Sequence, residues 1–322
     1  MIHTKILGTG SYVPKRVVTN KDMEKIVETS DAWIQSRTGI KSRHMTVDEN
    51  TSDLSLKAAE RAIKDANIDR KDIDLVIVAT ITGDYPFPAV AQLIQRKLGL
   101  NEITAFDVNA ACSGFIYALN IADKMIRSGA YKKALIVGAD ILSKYTDFTD
   151  RNTCVLFADA AGAMIIGESD TEKIKKVVTY AKGDLEGFLS MDGYPLKDNF
   201  KTPEQVRPFV KMQGSDVFKF ATTVFPKVIK ELLDLTQTSI DDLSLIVAHQ
   251  ANSRIIDKAA RTLAFPTEKM YLNIDRYGNT SAASVPLAID EAIKSGALKK
   301  GDIFATAAFG AGLTWGGALI EL

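Results

Sequence analysis

The chain has 322 residues, of which 46% are hydrophobic and 25% are charged, a composition typical of a soluble globular protein that buries a large core. Its 40 basic and 40 acidic side chains cancel, which argues against nucleic acid as a partner. The N-terminus lacks a signal-peptide pattern, and no apolar stretch reaches the ~20 residues that span a bilayer. We therefore expect a cytoplasmic protein that does not enter a membrane.

Short apolar strands alternate with amphipathic helices along the chain. The strand candidates are residues 74–80, 133–140, 161–168, 244–250 and 304–310, and the helix candidates between them include 54–66, 89–98 and 114–128. Continuous apolar runs of this length indicate parallel strands covered by helices on both faces. The sequence therefore predicts an α/β fold.

Two segments of the chain repeat at nearly the same distance. Residues 128–133 (SGAYKK) return as 295–300 (SGALKK), a shift of 167, and residues 72–80 resemble 241–249, a shift of 169. Chance is the alternative, since this helix-to-strand connector is common. A duplication predicts two similar halves, residues 1–170 and 171–322. The shift of 167 also pairs Cys112 with Asn279 at the starts of equivalent helices.

Cys112 follows a predicted strand and precedes a long amphipathic helix. Free N–H groups and the positive dipole end at a helix N-terminus stabilise a thiolate, and the small residues beside Cys112 leave room for a substrate. We therefore predict a nucleophile with a lowered pKa; the alternative is a small buried cysteine. Cys154 lies inside an apolar run and is predicted to be part of the core.

His249 and Asn279 are the other candidates for chemistry. His249 is the one histidine of three that ends an apolar strand, where ligands bind in open α/β sheets. Asn279 lies in a turn before small residues that can begin a helix. The alternatives are a core histidine and an ordinary turn asparagine. Four glycines within residues 310–317 suggest a backbone close to a ligand, but no helix follows them as in a phosphate loop.

Four segments resemble the signature segments of β-ketoacyl-acyl-carrier-protein synthase III, the initiating condensing enzyme of type II fatty-acid synthesis. They are VNAACSGFIYAL, VAHQAN followed by Arg254, YGNTSAASVP and FGAGLTWGGA, and the similarity extends over nearly the whole chain. The resemblance implies a thiolase-like fold, with two similar halves in a five-layered α-β-α-β-α unit, and a homodimer. It implies acyl-CoA and malonyl-acyl-carrier protein as substrates, and neither a cofactor nor a metal.

The resemblance also implies roles for individual residues. It makes Cys112 the acylated nucleophile, with His249 and Asn279 completing the catalytic site. The other implied sites are the backbone amides of Cys112 and Ala311 as the oxyanion hole, Trp33, Arg37 and Arg151 for coenzyme A, Phe87 (across the dimer) and Phe309 for the acyl pocket, and Gln250, Ala251, Asn252, Ser253 and Arg254 for the carrier protein. We extend the carrier site to Lys258 and Arg261, which share a helix face with Arg254. Many members of the family read Gly-Gly-Gly where this chain has Gly310-Ala311-Gly312.

Several related classes fit the sequence less well. A degradative thiolase needs a second cysteine near its C-terminus, and no cysteine follows Cys154. Elongating synthases use a second histidine where this chain has Asn279. A cysteine hydrolase would carry a CGSCW-like segment, and a non-catalytic subunit would have lost the triad. These differences favour the initiating synthase and leave its acyl primer open.

Overall fold

Strands and helices alternate along the chain, as expected of an α/β fold. The structure is a computed structural model, which describes residues 1–193 and 208–322. The strands within these residues are β1 (His3–Tyr12), β2 (Val17–Thr19), β3 (Ser42–His44), β4 (Leu75–Ala79), β5 (Thr104–Val108), β6 (Lys133–Ile141), β7 (Asp159–Ser169), β8 (Ile174–Ala181), β9 (Leu189–Met191), β10 (Val210–Met212), β11 (Leu243–Ile246), β12 (Ile303–Gly310) and β13 (Thr314–Glu321). The helices are α1 (Asn20–Met23), α2 (Asp31–Thr38), α3 (Thr51–Ala66), α4 (Val90–Lys97), α5 (Gly114–Arg127), α6 (Arg151–Cys154), α7 (Gly214–Thr236), α8 (Ser253–Leu263), α9 (Ile274–Tyr277) and α10 (Ser284–Lys294). None of the helices in this part of the chain has the length and apolar character to cross a membrane.

Two mixed sheets form the centre of the molecule. The first has the strand order β1-β7-β6-β4-β5, and the second has the order β11-β12-β13-β8. Strand β4 is parallel to β5 and β6, and β11 is parallel to β12, whereas β7 and β13 run antiparallel to their neighbours. The parallel direction predicted for residues 161–168 is therefore wrong. Helices bury both faces of the sheet, so antiparallel β7 has the same continuous apolar pattern as a parallel strand.

The helices form three layers, and the two sheets lie between them. Helices α3 and α4 pack on the outer face of the first sheet, around Leu54 and Val137. Helices α7 and α8 cover the outer face of the second sheet, around Phe225 and Ile246. Helices α5 and α10 fill the space between the sheets, around Phe115. The predicted five-layered α-β-α-β-α arrangement is confirmed.

The internal repeat is present, but its register changes along each copy. The 3₁₀ turns before α5 and α10, Ala111–Ser113 and Ser281–Ala283, are 170 residues apart, whereas the segments after these helices are 167 apart. The change occurs because α5 has 14 residues and α10 has 11. The predicted pairing of Cys112 with Asn279 is therefore wrong, and the structural counterpart of Cys112 is Ala282.

The two central sheets come from different parts of the chain. The first takes its strands from residues 3–169 and the second from residues 174–321. Helix α10 packs against β1 and β7 of the first sheet, and α5 packs against β8 and β13 of the second. The two halves thus share the middle layer. Their division into residues 1–170 and 171–322 stays a prediction.

Candidate active site

Cys112 lies in the tight turn between β5 and α5. This residue is 7% exposed, and the preceding Ala111 adopts a positive φ of 44°. Gly310, at the end of β12, packs directly on the turn, because a Cβ atom there would lie 2.8 Å from the Cys112 nitrogen. Only a glycine lets the strand approach the nucleophile candidate this closely.

Burial sets the protonation state of the Cys112 thiol. Removal from solvent raises the pKa of Cys112 to about 11, with a further contribution from the Asp140 carboxylate. Desolvation of the thiolate thus opposes the lowered pKa that was predicted from the helix N-terminus, and it favours the neutral thiol in the resting protein. Cys154 is fully buried in a separate apolar cluster, which confirms its prediction as a core residue.

His249 follows β11 and extends its pairing with β12, since the His249 N–H donates to the carbonyl of Ala307 at 2.8 Å. Its ring is buried, and burial lowers the pKa of His249 to about 3. The Ser284 hydroxyl lies 2.5 Å from Nδ1 and also accepts the N–H of Gln250. When that hydroxyl donates its hydrogen to Nδ1, the neutral ring carries its own proton on Nε2 and can act there as a donor.

Asn279 is held by backbone contacts on both sides. Its N–H donates to Leu156 and its carbonyl accepts from Ala158, both at 2.9 Å. The side-chain Oδ1 accepts the N–H of Ser281 at 3.0 Å. This bond orients the amide group, and Asn279 lines a cavity that Cys112 also lines.

Two cavities meet at Cys112. The smaller, of about 130 Å³, is lined by His249 and Asn279 and by apolar residues that include Phe309, Phe218, Phe220, Val217, Ile255 and Met212. The larger, of about 290 Å³, is lined by Ala111, Ala311, Ser281, Leu142, Phe157, Leu189 and Met191, among others. The structure thus brings the predicted triad together around one sulfur.

The turn after β12 places Ala311 beside Cys112. The residue of this turn with a positive φ is Gly312, at 126°, and Ala311 does not adopt a left-handed conformation. The Thr314 hydroxyl is 2.9 Å from the carbonyl oxygens of both Ala110 and Ala311, so it ties this turn to the Cys112 turn. The alanine in place of the family's usual glycine is therefore accommodated without strain.

Of the residues predicted to contact coenzyme A, two stack on each other and the third contacts a residue that lines the smaller cavity. The Arg151 guanidinium stacks 4.9 Å from the centre of the Trp33 ring, an arrangement that leaves an exposed cation next to an aromatic surface. The Asn252 side chain, which lines the cavity, donates to the carbonyl of Arg37 at 3.0 Å. Arg37 and Arg151 are both exposed.

Helix α8 carries most of the residues predicted to bind a carrier protein. Arg254, Lys258 and Arg261 are exposed on one face, and the Arg254 guanidinium lies 5.5 Å from the centre of the Phe218 ring. Asn252 caps the helix, and Ala251 and Ser253 are half-buried beside it.

The prediction that Gln250 contacts the carrier protein is wrong. Gln250 is 1% exposed, and its amide donates to the carbonyls of Ala248 and Tyr271 and accepts the N–H groups of Asn273 and Ile274. No part of this side chain is left to contact a carrier protein.

The two predicted acyl-pocket phenylalanines lie apart. Phe87 is 86% exposed in the loop before α4. Phe309 is buried, with its ring centre 5.4 Å from that of His249, and it lines the smaller cavity. The walls of the larger cavity come instead from Leu142, Phe157 and strand β9, which sequence reasoning missed because these residues carry only an ordinary core pattern.

The comparisons with known proteins agree with this geometry. Family models for 3-oxoacyl-[acyl-carrier-protein] synthase III match residues 106–183 and, for its C-terminal part, residues 233–322. A β-ketoacyl-[acyl-carrier-protein] synthase III from Clostridium acetobutylicum is 47% identical, over 100% of this chain and 99% of the relative. One from Aquifex aeolicus is 45% identical, over 99% of both chains.

Solved structures extend the likeness to three dimensions. The crystal structure of 3-oxoacyl-[acyl-carrier-protein] synthase III from Aquifex aeolicus has a TM-score of 0.92 at 45% identity and covers 99% of this chain and 100% of that one. A priming β-ketosynthase from the R1128 polyketide pathway has a TM-score of 0.94 at 36% identity, with 99% and 96% covered. Fold and site therefore define a condensing enzyme of the thiolase-like class. The chain belongs to the β-ketoacyl-[acyl-carrier-protein] synthase III family and is an acyltransferase that initiates fatty-acid biosynthesis.

Proposed function

We propose that Cys112 carries the acyl group and that His249 and Asn279 support its condensation with malonyl-acyl-carrier protein. The observation that carries this proposal is the position of the Cys112 sulfur between two cavities. The larger cavity can receive an acyl chain, and the smaller one, although mostly apolar, contains the His249 and Asn279 side chains as two hydrogen-bond donors that can receive a thioester oxygen.

In the first half-reaction, the Cys112 sulfur attacks the thioester carbonyl of acyl-CoA. A bond from the carbonyl carbon to Cys112 forms, the bond to the coenzyme A sulfur breaks, and coenzyme A leaves as a free thiol. The N–H groups of Cys112 and Ala311 stabilise the oxyanion, since both residues line the larger cavity. The acyl chain extends toward Phe157 and β9.

In the second half-reaction, malonyl-acyl-carrier protein loses CO₂. The resulting enolate oxygen accepts hydrogen bonds from His249 Nε2 and Asn279 Nδ2, and its carbon attacks the acyl-Cys112 thioester. Decarboxylation needs no base, so a neutral histidine with a pKa of about 3 suits this step. The products are CO₂ and 3-oxoacyl-acyl-carrier protein. The reaction requires no cofactor or metal, because the thioester carbonyl holds the developing charge.

Exposed basic residues, together with Trp33, bind the two substrates. Trp33 and Arg151 hold the nucleotide end of coenzyme A with Arg37. The exposed cations of α8, which are Arg254, Lys258 and Arg261, attract the acidic carrier protein. Because such exposed pairs are screened by salt, they act mainly on the encounter rate.

The enzyme works as a homodimer in the cytoplasm. Strand β5 lies at the edge of the first sheet, where its free N–H and C=O groups can pair with a second chain. Phe87 and Tyr85 are exposed in the loop between β4 and α4. A second copy would cover these apolar side chains and bring Phe87 to its active site.

Intact-protein mass after mixing with a panel of acyl-CoAs tests the proposal. The wild-type chain and Cys154→Ser should gain the mass of one acyl group, and Cys112→Ser should not. Retention of the acyl mass by Cys112→Ser would overturn the assignment. The panel also identifies the primer.

A further inference from the structure

Ser281 is an unusual residue beside Cys112. It is fully buried in a left-handed conformation, with a φ of 51°. Among the described residues its hydroxyl has no hydrogen-bond partner of normal geometry, and it lines the same cavity as Cys112. Backbone strain and an unpartnered buried hydroxyl both cost free energy, and they persist mainly at functional sites.

Asp140, at the end of β6, is a buried acceptor on the other side of Ser281. Its Oδ1 accepts the Ile81 N–H at 2.9 Å and the hydroxyls of Thr80 and Thr82 at 3.0 Å. Its Oδ2 accepts the N–H of Ala282 at 3.3 Å. Three donors on one oxygen favour the ionised carboxylate, and Oδ2 keeps a lone pair for another donor.

Tight backbone packing places Ser281 between the thiol and the carboxylate. Gly138 lies two residues before Asp140 and so on the same face of β6, and a Cβ atom there would lie 2.2 Å from the carbonyl oxygen of Ala282. The turn that carries Ser281 therefore rests directly on the strand. Ser281 lines the same cavity as Cys112, and the N–H of the next residue, Ala282, donates to Asp140 Oδ2 at 3.3 Å. The Ser281 hydroxyl therefore lies between the two groups, and a hydroxyl can accept from one group while it donates to another.

His249 does not compete for the thiol proton. Its Nδ1 is occupied by Ser284, and burial lowers the pKa of His249 to about 3. Burial raises the pKa of Asp140, which makes that carboxylate the better base. Within residues 1–193 and 208–322, the pKa values of Cys112 and Asp159 are both raised in part by the Asp140 charge, so these two titratable groups lie near it.

We propose that the Ser281 hydroxyl takes the proton of the Cys112 thiol during acylation and passes its own proton to Asp140. The proposal rests on Cys112 being the acylated residue. As the sulfur–carbon bond forms, the Cys112 proton moves to Ser281 Oγ and the Ser281 proton moves to Asp140 Oδ2. When the bond to coenzyme A breaks, the same path returns the proton to the departing sulfur, and Asp140 is ionised again.

Alkylation of Cys112 by iodoacetamide in the full chain tests the relay without coenzyme A. In the wild type the relay makes the rate nearly independent of pH between pH 7 and pH 9. In Ser281→Ala we expect a rate about 10²-fold lower at pH 7, in the range for loss of a general base. Its rate should rise tenfold per pH unit, because only the thiolate that forms spontaneously reacts.

Two variants separate the relay from effects on the turn. Ser281→Gly removes the hydroxyl and relieves the strained φ, so it should match Ser281→Ala. Thr280→Val removes the neighbouring buried hydroxyl, which also lacks a partner among the described residues, and should match the wild type. Slow alkylation in Thr280→Val, or the wild-type rate and pH profile in Ser281→Ala, would overturn the relay.

Asp140→Asn tests the acceptor of the relay. Its rate of Cys112 alkylation should rise tenfold per pH unit, as in Ser281→Ala. Its rate of malonyl-carrier decarboxylation reports whether the site has folded; if it has not, the Ser281 pair decides alone. Acylation of the wild-type chain at a residue other than Cys112 would refute the proposed function. Acylation at Cys112, combined with wild-type alkylation rates and pH profiles in the Ser281 variants, would refute only the relay.

Discussion

Acid is the perturbation that tests whether His249 acts as a neutral hydrogen-bond donor. The ring is 1% exposed, with Ser284 at 2.5 Å from Nδ1 and the Phe309 ring centre at 5.4 Å. No salt bridge to a carboxylate involves His249 among the described residues. Burial therefore lowers its pKa from 6.5 to about 3, and protonation destabilises the folded chain relative to the unfolded one.

The magnitude follows from the two pKa values. A difference of about 3.5 units corresponds to about 5 kcal/mol when the pH lies below both pKa values. The folded-state pKa is lower than the unfolded-state pKa. The free energy of unfolding therefore has its full value above pH 6.5, and up to this amount is lost as the pH falls toward 3. At pH 5 the unfolded chain has bound the proton and the folded chain has not, so the loss is about 2 kcal/mol.

Urea unfolding at pH 7 and pH 5 measures this loss. Between these two values we expect the wild type to lose about 2 kcal/mol more stability than His249→Asn, whose side-chain oxygen can keep the Ser284 hydrogen bond. Asp159, with its pKa raised to about 6 by burial, gains stability on acidification, but it is present in both proteins and cancels. Equal losses would refute the neutral buried histidine, as would a decarboxylation rate with a His249-dependent inflection near pH 6.5.

Three further predictions concern the substrates. His249→Ala and Asn279→Ala should each slow release of CO₂ from malonyl-carrier by about 10²–10³-fold while acylation slows less; failure in acylation alone would make His249 a base for the thiol. Arg254→Glu with Arg261→Glu should raise KM for malonyl-carrier and flatten its salt dependence, while acylation by acyl-CoA stays nearly unchanged; equal loss of both half-reactions would argue against carrier docking. Trp33→Ala should raise KM for acyl-CoA by removing the surface on which Arg151 stacks, with KM for malonyl-carrier changing less; equal changes would place Trp33 outside the nucleotide site.

The sequence singled out three candidate residues that stand at the ends of elements, and it missed residues whose contacts connect the two halves. Cys112, His249 and Asn279 each lie in a turn or strand end with a distinctive pattern. Asp140 reaches Ala282 across 142 residues of sequence, and no local pattern indicates that contact. The raised pKa of the thiol was equally inaccessible, since the sequence places Cys112 at a helix N-terminus but does not reveal how completely the second half buries it.

The duplicated turns differ in the group that faces the N–H at Cys112 and at its counterpart Ala282. At the structural shift of 170, Cys112 corresponds to Ala282 and Gly310 corresponds to Asp140, a register supported by the matching pairs of β4 with β6 and of β11 with β12. In the second half, the Ala282 N–H donates to the Asp140 carboxylate at 3.3 Å. In the first half, the equivalent N–H of Cys112 faces Gly310, which has no side chain to accept it. The carboxylate of one copy thus occupies the position that an oxyanion would take in the other, which is the physical reason to expect the Cys112 N–H to bind the acylation intermediate.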